Sequence, residues 1–147
     1  MSTVIKVLVT ILAILLLFGG LIAAGSWFWW SKYGDDFLQQ TVSAQKDGEE
    51  FGKRADNQAC VTEAFAQVEK CDGVSCEVSV NVFLSSCLPE SRPSPGFCDD
   101  VPSMTDFVAT AKWRMASCLE EFRAMESCQQ IHGTIQEYCA DRARSET

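Results

Sequence analysis

The stretch that decides the fold is Cys60–Cys87, CVTEAFAQVEKCDGVSCEVSVNVFLSSC. Ten residues separate Cys60 from Cys71, ten separate Cys76 from Cys87, and only four residues lie between the two pairs. Eleven positions make about three turns of an α-helix, so each pair projects from one helix face, roughly 16 Å apart. Folding the two helices antiparallel about the Asp-Gly turn brings Cys71 against Cys76 and Cys60 against Cys87. We therefore predict a helical hairpin closed by two disulfides.

Both halves of this stretch carry apolar residues at helical spacing. These are Val61, Ala64, Phe65 and Val68 in the first half, and Val80, Phe83 and Leu84 in the second. Ser75 is a suitable N-cap for the second helix. The alternation of Val78, Val80 and Val82 is equally typical of a β-strand, so a strand stays open as the alternative for the second half.

Two helices that each carry a spaced pair of cysteines resemble the twin CX9C, coiled-coil-helix-coiled-coil-helix proteins of the mitochondrial intermembrane space. The resemblance covers Cys60–Cys87, and this chain has ten intervening residues where that family has nine. It concerns architecture, and no function is transferred from it.

Beyond the hairpin the sequence predicts an irregular connection and two more helices. All four prolines, Pro89, Pro93, Pro95 and Pro102, fall within a proline-rich loop over residues 88–103, which Cys98 tethers. A third helix starts near Ser103, and its apolar stripe consists of Phe107, Ala111, Met115, Cys118, Phe122 and Met125. A fourth helix carries Cys128, Ile131, Ile135, Tyr138 and Cys139. We assign Cys118 to Cys128 and Cys98 to Cys139, although spacing alone does not determine this connectivity.

The N-terminal segment is apolar enough to enter a membrane. Residues 7–30 carry no charge, and as a helix they cover the roughly 30 Å hydrocarbon core of a bilayer. The aromatic residues Trp27, Phe28, Trp29, Trp30 and Tyr33 cluster at one end, as in a membrane-interface belt. We predict a transmembrane signal-anchor over residues 4–30 that binds the lipid bilayer. Lys6 and the small residues Ala23 and Gly25 also fit a signal peptide cleaved before Ser26, so a secreted protein is the alternative.

The following residues, 31–58, are mostly polar and are interrupted by Gly48 and Gly52. We predict that they form a helical stalk, which leads to a disulfide-stapled domain over residues 59–143. Phe37, Ala44 and Phe51 recur every seven residues, which is compatible with a self-association seam and hence with a homo-oligomer. A solvated spacer is the alternative interpretation of this segment.

The cysteines indicate the cellular compartment, and the net charge indicates which classes of partner are unfavourable. All eight cysteines follow the apolar segment, and no CxxC motif occurs among them, which is typical of a disulfide framework in an oxidising space. We expect a single-pass protein of the bacterial inner (cytoplasmic) membrane with a periplasmic C-terminal domain. The extracellular or mitochondrial intermembrane space comes second. Residues 31–147 carry 11 Lys and Arg against 20 Asp and Glu, a formal charge of 11 − 20 = −9, which argues against a nucleic-acid partner.

No motif predicts catalysis or a cofactor. His132 is the one histidine of the chain and stands in no recognisable catalytic context. Ten-residue spacing places paired thiolates too far apart for one metal ion, so a metal site would need ligands from two helices. We therefore predict no catalytic, cofactor-binding or metal-binding residues.

The function expected from these features is that of a non-enzymatic accessory, adaptor or structural protein. Its rigid helical domain would be presented to a membrane or periplasmic protein partner, with Trp113, Arg114 and Phe97 as contact residues if they are exposed. The alternative is that Trp113 and Phe97 fill the core. The first alternative is a thiol-redox or metal-handling protein with a twin CX10C motif. The second is a secreted disulfide-rich effector, if the N-terminal segment is cleaved.

Overall fold

The computed structural model describes residues 3–118 and 125–145, except for the side chains of residues 3–6, 29, 33 and 125. This part of the chain is all-helical, as the sequence predicts. Its helices are α1 (Thr3–Gly52), α2 (Asn57–Val68), α3 (Val74–Glu90), α4 (Phe107–Cys118) and α5 (Met125–Ser145). The chain divides into two compact units, Met1–Gln39 and Gln40–Thr147. The division falls inside the predicted stalk, so that residues 40–58 belong to the same unit as the cysteines.

The first unit contains the apolar part of α1. The segment Val7–Lys32 spans 26 residues, its described side chains are exposed, and its length and composition suit a membrane span or a signal sequence. Of the predicted interfacial aromatics, Trp27, Phe28 and Trp30 are exposed. The side chains of Trp29 and Tyr33 lie outside the described residues.

In the second unit, α2 and α3 form the predicted hairpin. Asp56 caps α2 by accepting a hydrogen bond from the backbone N–H of Ala59 at 2.9 Å. The strand alternative for residues 78–82 is wrong, because these residues lie inside α3. The N-cap of α3 is Gly73 rather than the predicted Ser75, which stands in the first turn, where its carbonyl accepts a hydrogen bond from the hydroxyl of Ser79.

The hydrophobic core lies between α2, α3 and α5. Its buried apolar residues other than cysteine are Ala55, Val61, Ala64, Val68, Val80, Phe83, Leu84, Leu88, Ile131 and Ile135. Leu84, Leu88 and Ile131 are fully buried. Burial of each such side chain stabilises the fold by about 1.5–3 kcal/mol.

All eight cysteines are paired. The bridges are Cys60–Cys87, Cys71–Cys76, Cys98–Cys139 and Cys118–Cys128, the pairs expected from the sequence. The first two close the α2–α3 hairpin at its two ends. The third ties the connection after α3 to α5, and the fourth ties the end of α4 to α5.

The last turns of α1 pack directly on α3. From sequence alone Gly48 and Gly52 are interruptions of a polar stalk, but the helix continues through both. A Cβ atom at Gly48 would lie 2.3 Å from the carbonyl oxygen of Phe83, and one at Gly52 would lie 2.6 Å from that of Cys87. Only glycine therefore allows the two backbones to approach this closely.

The same contact accounts for two positions of the seven-residue repeat. Ala44 and Phe51 pack against the hydrophobic core, and the ring of Phe51 meets that of Phe83 edge-on at 5.7 Å between centroids. At these positions the repeat serves packing within the chain, so it gives no independent support for a self-association seam.

The connection after α3 begins at Ser91, three residues later than predicted. The helix runs through Pro89 to Glu90, because proline in the last turn leaves most of the helical hydrogen bonds intact. Asn57, which is fully buried, then fixes the connection to α2. Its side-chain amide donates to the hydroxyl of Ser91 at 2.7 Å, and its carbonyl accepts from the backbone N–H of Ser94 at 3.0 Å.

Candidate functional site: helix α4 and its attachment to α5

Helix α4 starts at Phe107, four residues after the predicted start at Ser103. The carboxylate of Asp106 accepts a hydrogen bond from the backbone N–H of Ala109 at 2.9 Å and so caps the helix. Ser103 instead accepts, through its carbonyl, a hydrogen bond from the N–H of Asp106, which forms a turn before the helix.

A buried glutamine on α5 holds α4 in place. Gln136 is 2 % exposed. Its side-chain nitrogen donates to the hydroxyl of Thr110 at 2.8 Å and to the carbonyl of Pro102 at 3.0 Å. Its side-chain oxygen accepts from the guanidinium of Arg114 at 2.8 Å. One residue of α5 thus fixes both the rotation of α4 about its axis and the chain that leads into it.

The C-terminal half of α4 meets α5 at the Cys118–Cys128 bridge and at His132. The ring of Trp113 stands edge-on to that of His132, with 4.9 Å between centroids. Nδ1 of His132 lies 2.9 Å from the carbonyl oxygen of Cys128, one turn earlier on α5. Because a carbonyl can only accept, Nδ1 carries a hydrogen in this arrangement. The same nitrogen lies 3.5 Å from Sγ of Cys128 and 3.7 Å from Sγ of Cys118.

A cavity of about 510 Å³ adjoins this cluster. Trp113, Cys128 and His132 contribute to its wall, together with the aromatic rings of Phe65 and Phe97. The histidine and the bridge therefore border a space large enough for several water molecules.

The rest of α4 presents apolar side chains to solvent. Phe107 is 82 % exposed, Val108 67 % and Met115 59 %. We call these side chains, together with the exposed Met104 and Ala111, the α4 outer face.

Of the apolar stripe predicted for this helix, Phe107, Ala111 and Met115 face solvent, whereas Cys118 is buried. Thr110 and Arg114 are bound to α5, so the face of α4 that packs on α5 lies one residue before the predicted stripe. One residue corresponds to a rotation of roughly 100° about the helix axis. Phe122 and the side chain of Met125, the last two members of the stripe, lie outside the described residues.

The three candidate contact residues are partly buried, and for Trp113 and Phe97 the structure favours the alternative of packing against the core. Trp113 packs against the core and His132, and Arg114 is bound to Gln136. Phe97 packs edge-on against Tyr138 at 6.1 Å between ring centroids. These side chains support the body, and the exposed apolar surface lies on other residues of α4.

Comparison with protein-family models, with curated protein sequences and with solved structures finds no match to this chain. The function must therefore be inferred from the residues and contacts of the chain itself.

Proposed function

We propose that this protein is a membrane-anchored, non-enzymatic adaptor that binds a protein partner through the α4 outer face. The observation that carries the proposal is the exposure of Phe107, Val108 and Met115 on a single helix. Contiguous large apolar side chains on a protein surface are typical of interaction sites.

The attachment of α4 suits it to this role. The hydrogen bonds of Gln136 and the Cys118–Cys128 bridge hold the helix against α5 at both of its ends. A helix that is fixed in advance loses little conformational entropy when it binds. Phe107, Ala111 and Met115 follow each other every four residues, the spacing at which an apolar helix face fits into a groove of another protein.

The charge of the body indicates the chemistry of the partner. Residues 40–147 contain 10 Lys and Arg against 18 Asp and Glu, a formal charge of 10 − 18 = −8. Asp106 borders the α4 outer face, Asp99 and Asp100 stand in the connection before it, and Lys112 is the exposed cation on α4. We infer a partner with an apolar groove and a basic rim. The same charge disfavours contact of this face with an anionic lipid surface.

We place the apolar segment Val7–Lys32 in the bacterial inner membrane and the cysteine-bearing unit in the periplasm. Support comes from the length of the segment and from the pairing of all eight cysteines, which persists in oxidising compartments. N-terminal sequencing of the protein isolated from membranes tests retention of the anchor. A chain that begins at Ser26 would contradict it and favour the secreted alternative.

Site-specific photo-crosslinking in intact cells tests the docking face. A photoreactive residue at Val108 should yield a crosslink to one protein, whereas the same residue at Val74, which is 75 % exposed on α3, should not. The crosslink should be lost in the variant Phe107→Ser with Met115→Ser and kept in Val74→Ser, with the thermal transition unchanged in both. The identified partner should contain an apolar groove bordered by Lys or Arg, and binding should weaken as salt is raised.

Three results would overturn the proposal. Crosslinks from Val108 to lipid would assign the face to the membrane surface, and crosslinks to a second copy of the chain would assign it to self-association. Equal crosslinking from Val74 and Val108 would show that the α4 outer face has no special role.

A further inference from the structure

Three potential metal ligands meet where α4 ends against α5. The ligand atoms of Cys118, Cys128 and His132 all lie within 4.8 Å of one another. Cys118 is the last residue of α4, while Cys128 and His132 stand one turn apart on α5 and project from the same face. Two helices thus supply the three ligands. A metal site in this chain needs such a combination, because the spacing of cysteines along one helix keeps them too far apart.

The distances from the histidine nitrogen to the two sulfurs match those around tetrahedral zinc. Zn–S bonds of about 2.3 Å and Zn–N bonds of about 2.05 Å at tetrahedral angles place sulfur and nitrogen roughly 3.6 Å apart, and two sulfurs roughly 3.8 Å apart. Nδ1 of His132 already lies 3.5 and 3.7 Å from the two sulfurs. Only the sulfurs of Cys118 and Cys128 would have to separate, which reduction of their bond allows.

We propose that Cys118, Cys128 and His132 form a redox-controlled zinc site. In the oxidised protein the two cysteines are a disulfide, and in the reduced protein they bind Zn²⁺ together with His132. This activity is additional to partner binding by the α4 outer face and does not depend on it.

The conversion is balanced with a thiol reductant of the glutathione class. Two thiol molecules supply two electrons and two protons and become one disulfide, while the Cys118–Cys128 bond breaks and forms two S–H groups. Zn²⁺ then displaces both thiol protons into solvent. The hydrogen on Nδ1 of His132 is lost to solvent and Nε2 takes one up, so that the neutral imidazole offers the Nδ1 lone pair to the metal.

The surroundings favour a metal site at the Cys118–Cys128 bridge over one at the other three bridges. In the described part of the chain this is the one group of three Cys, His, Asp or Glu residues with ligand atoms so close. The cavity of about 510 Å³ that Cys128 and His132 border gives an ion access and leaves room for water as a fourth ligand. Trp113 holds the imidazole ring edge-on at 4.9 Å. Thiolate and imidazole are a ligand combination that zinc accepts readily.

The hydrogen bond from Nδ1 to the carbonyl of Cys128 would be given up on binding. That carbonyl lies inside α5, where the helical backbone N–H four residues later also donates to it. Loss of the imidazole hydrogen therefore leaves the carbonyl satisfied, and the cost of releasing the ring is small.

The test measures the redox equilibrium of each cysteine pair with and without zinc. The full chain in detergent is equilibrated in a series of glutathione buffers, quenched, alkylated and analysed by mass spectrometry for every cysteine. Free Zn²⁺ is supplied at ten times its dissociation constant. The ratio [GSH]²/[GSSG] at which half of Cys118–Cys128 is reduced should then fall by about elevenfold, because zinc binds the reduced pair. The other three pairs should not shift, and native mass spectrometry should find one zinc ion per chain.

His132→Phe is the matched variant, because it keeps an aromatic ring between Trp113 and Phe65 and removes the nitrogen ligand. His132→Gln serves as a second variant, and the thermal transition of each oxidised variant shows whether it folds. Loss of a direct ligand should weaken zinc binding by at least the upper end of the roughly 10–100-fold that loss of a supporting hydrogen bond typically causes. The zinc-dependent shift should therefore nearly disappear in both.

The proposal fails if zinc does not move the Cys118–Cys128 equilibrium. It also fails if zinc moves all four pairs alike, since that is the result for thiols of an unfolded chain. A shift of undiminished size in both His132 variants would equally overturn it. None of these measurements involves the protein partner, so their outcome is separate from that of the docking proposal.

Discussion

Gly48→Ala should destabilise the disulfide-bonded unit, although alanine is the better helix former. The new Cβ would stand 2.3 Å from the carbonyl oxygen of Phe83, and such contacts are essentially never shorter than 3.0 Å. The last turns of α1 would have to move away from α3 by at least 3.0 − 2.3 = 0.7 Å. Overpacking of this kind costs about 1–3 kcal/mol.

The displacement should also weaken the edge-on contact between Phe51 and Phe83, which is worth about 0.5–1.5 kcal/mol. Against these losses stands the higher helix propensity of alanine, about 1 kcal/mol. The expected net change is a decrease of about 1–3 kcal/mol in the free energy of unfolding. For a unit of this size that corresponds to a fall of roughly 5–15 °C in Tm.

Differential scanning calorimetry of the full chain in detergent micelles, with the disulfides intact, measures this change. Gly133→Ala on α5 is the matched control, because the nearest atom to its Cβ would be Nη2 of Arg114 at 3.4 Å, an ordinary van der Waals distance that requires no movement. The control should leave Tm unchanged or raise it by a few degrees. If Gly48→Ala behaves like the control, the close approach of the α1 and α3 backbones is refuted.

Further substitutions and a chemical test address the role of Gln136 and of the disulfides. Gln136→Leu removes the acceptor of the Arg114 guanidinium and should lower the free energy of unfolding, measured by urea titration, by about 2–4 kcal/mol. The control Gln130→Leu, at an exposed position, should lower it by less than about 1 kcal/mol. Equal effects would contradict a supporting role for Gln136. Replacing both cysteines of a bridge with alanine should lower the free energy of unfolding. The expected decrease is about 3.5 kcal/mol for Cys60–Cys87, which spans 27 positions, and about 2 kcal/mol for Cys71–Cys76, which spans 5. The reverse order of Tm losses would contradict the loop-entropy account. Alkylation of the denatured, unreduced chain should add no mass, because all eight cysteines are paired, and any adduct would identify a free thiol.

The hairpin could be predicted from sequence because spacing and helical geometry determine it together. Two cysteine pairs eleven positions apart with a four-residue turn between them leave one antiparallel arrangement in which each cysteine meets a partner. The apolar residues beside the cysteines, such as Val61 and Leu84, then become the core. Local spacing and tertiary packing indicate the same structure here.

The packing of α1 on α3 does not follow from the polar character of the stalk, although the sequence contains a signal for it. Ala44, Gly48 and Gly52 follow each other every four residues, a row of small side chains that lets two helices approach closely. Within a polar segment the two glycines by themselves indicate only interruptions of a helical stalk, because glycine lowers helix propensity. Tertiary contact with α3 overrides that local preference.

The rotation of α4 could not be predicted from its apolar pattern. A stripe of Phe107, Ala111 and Met115 normally faces the core, but the helix is bound through Thr110 and Arg114 to a single buried glutamine. That pairing joins residues more than twenty positions apart, and hydrophobic periodicity contains no information about it.

The bridges are nested in two separate sets. Cys71–Cys76 lies inside Cys60–Cys87, Cys118–Cys128 lies inside Cys98–Cys139, and no bridge joins one set to the other. The backbone of residues 88–97 is therefore the sole covalent connection between them, and a single protease cut there would leave two fragments that can separate without any reductant. In the topology proposed above, all four cysteines of the first set would reach the oxidising compartment before the fifth, so that this set could pair completely with no thiol from the later chain to compete.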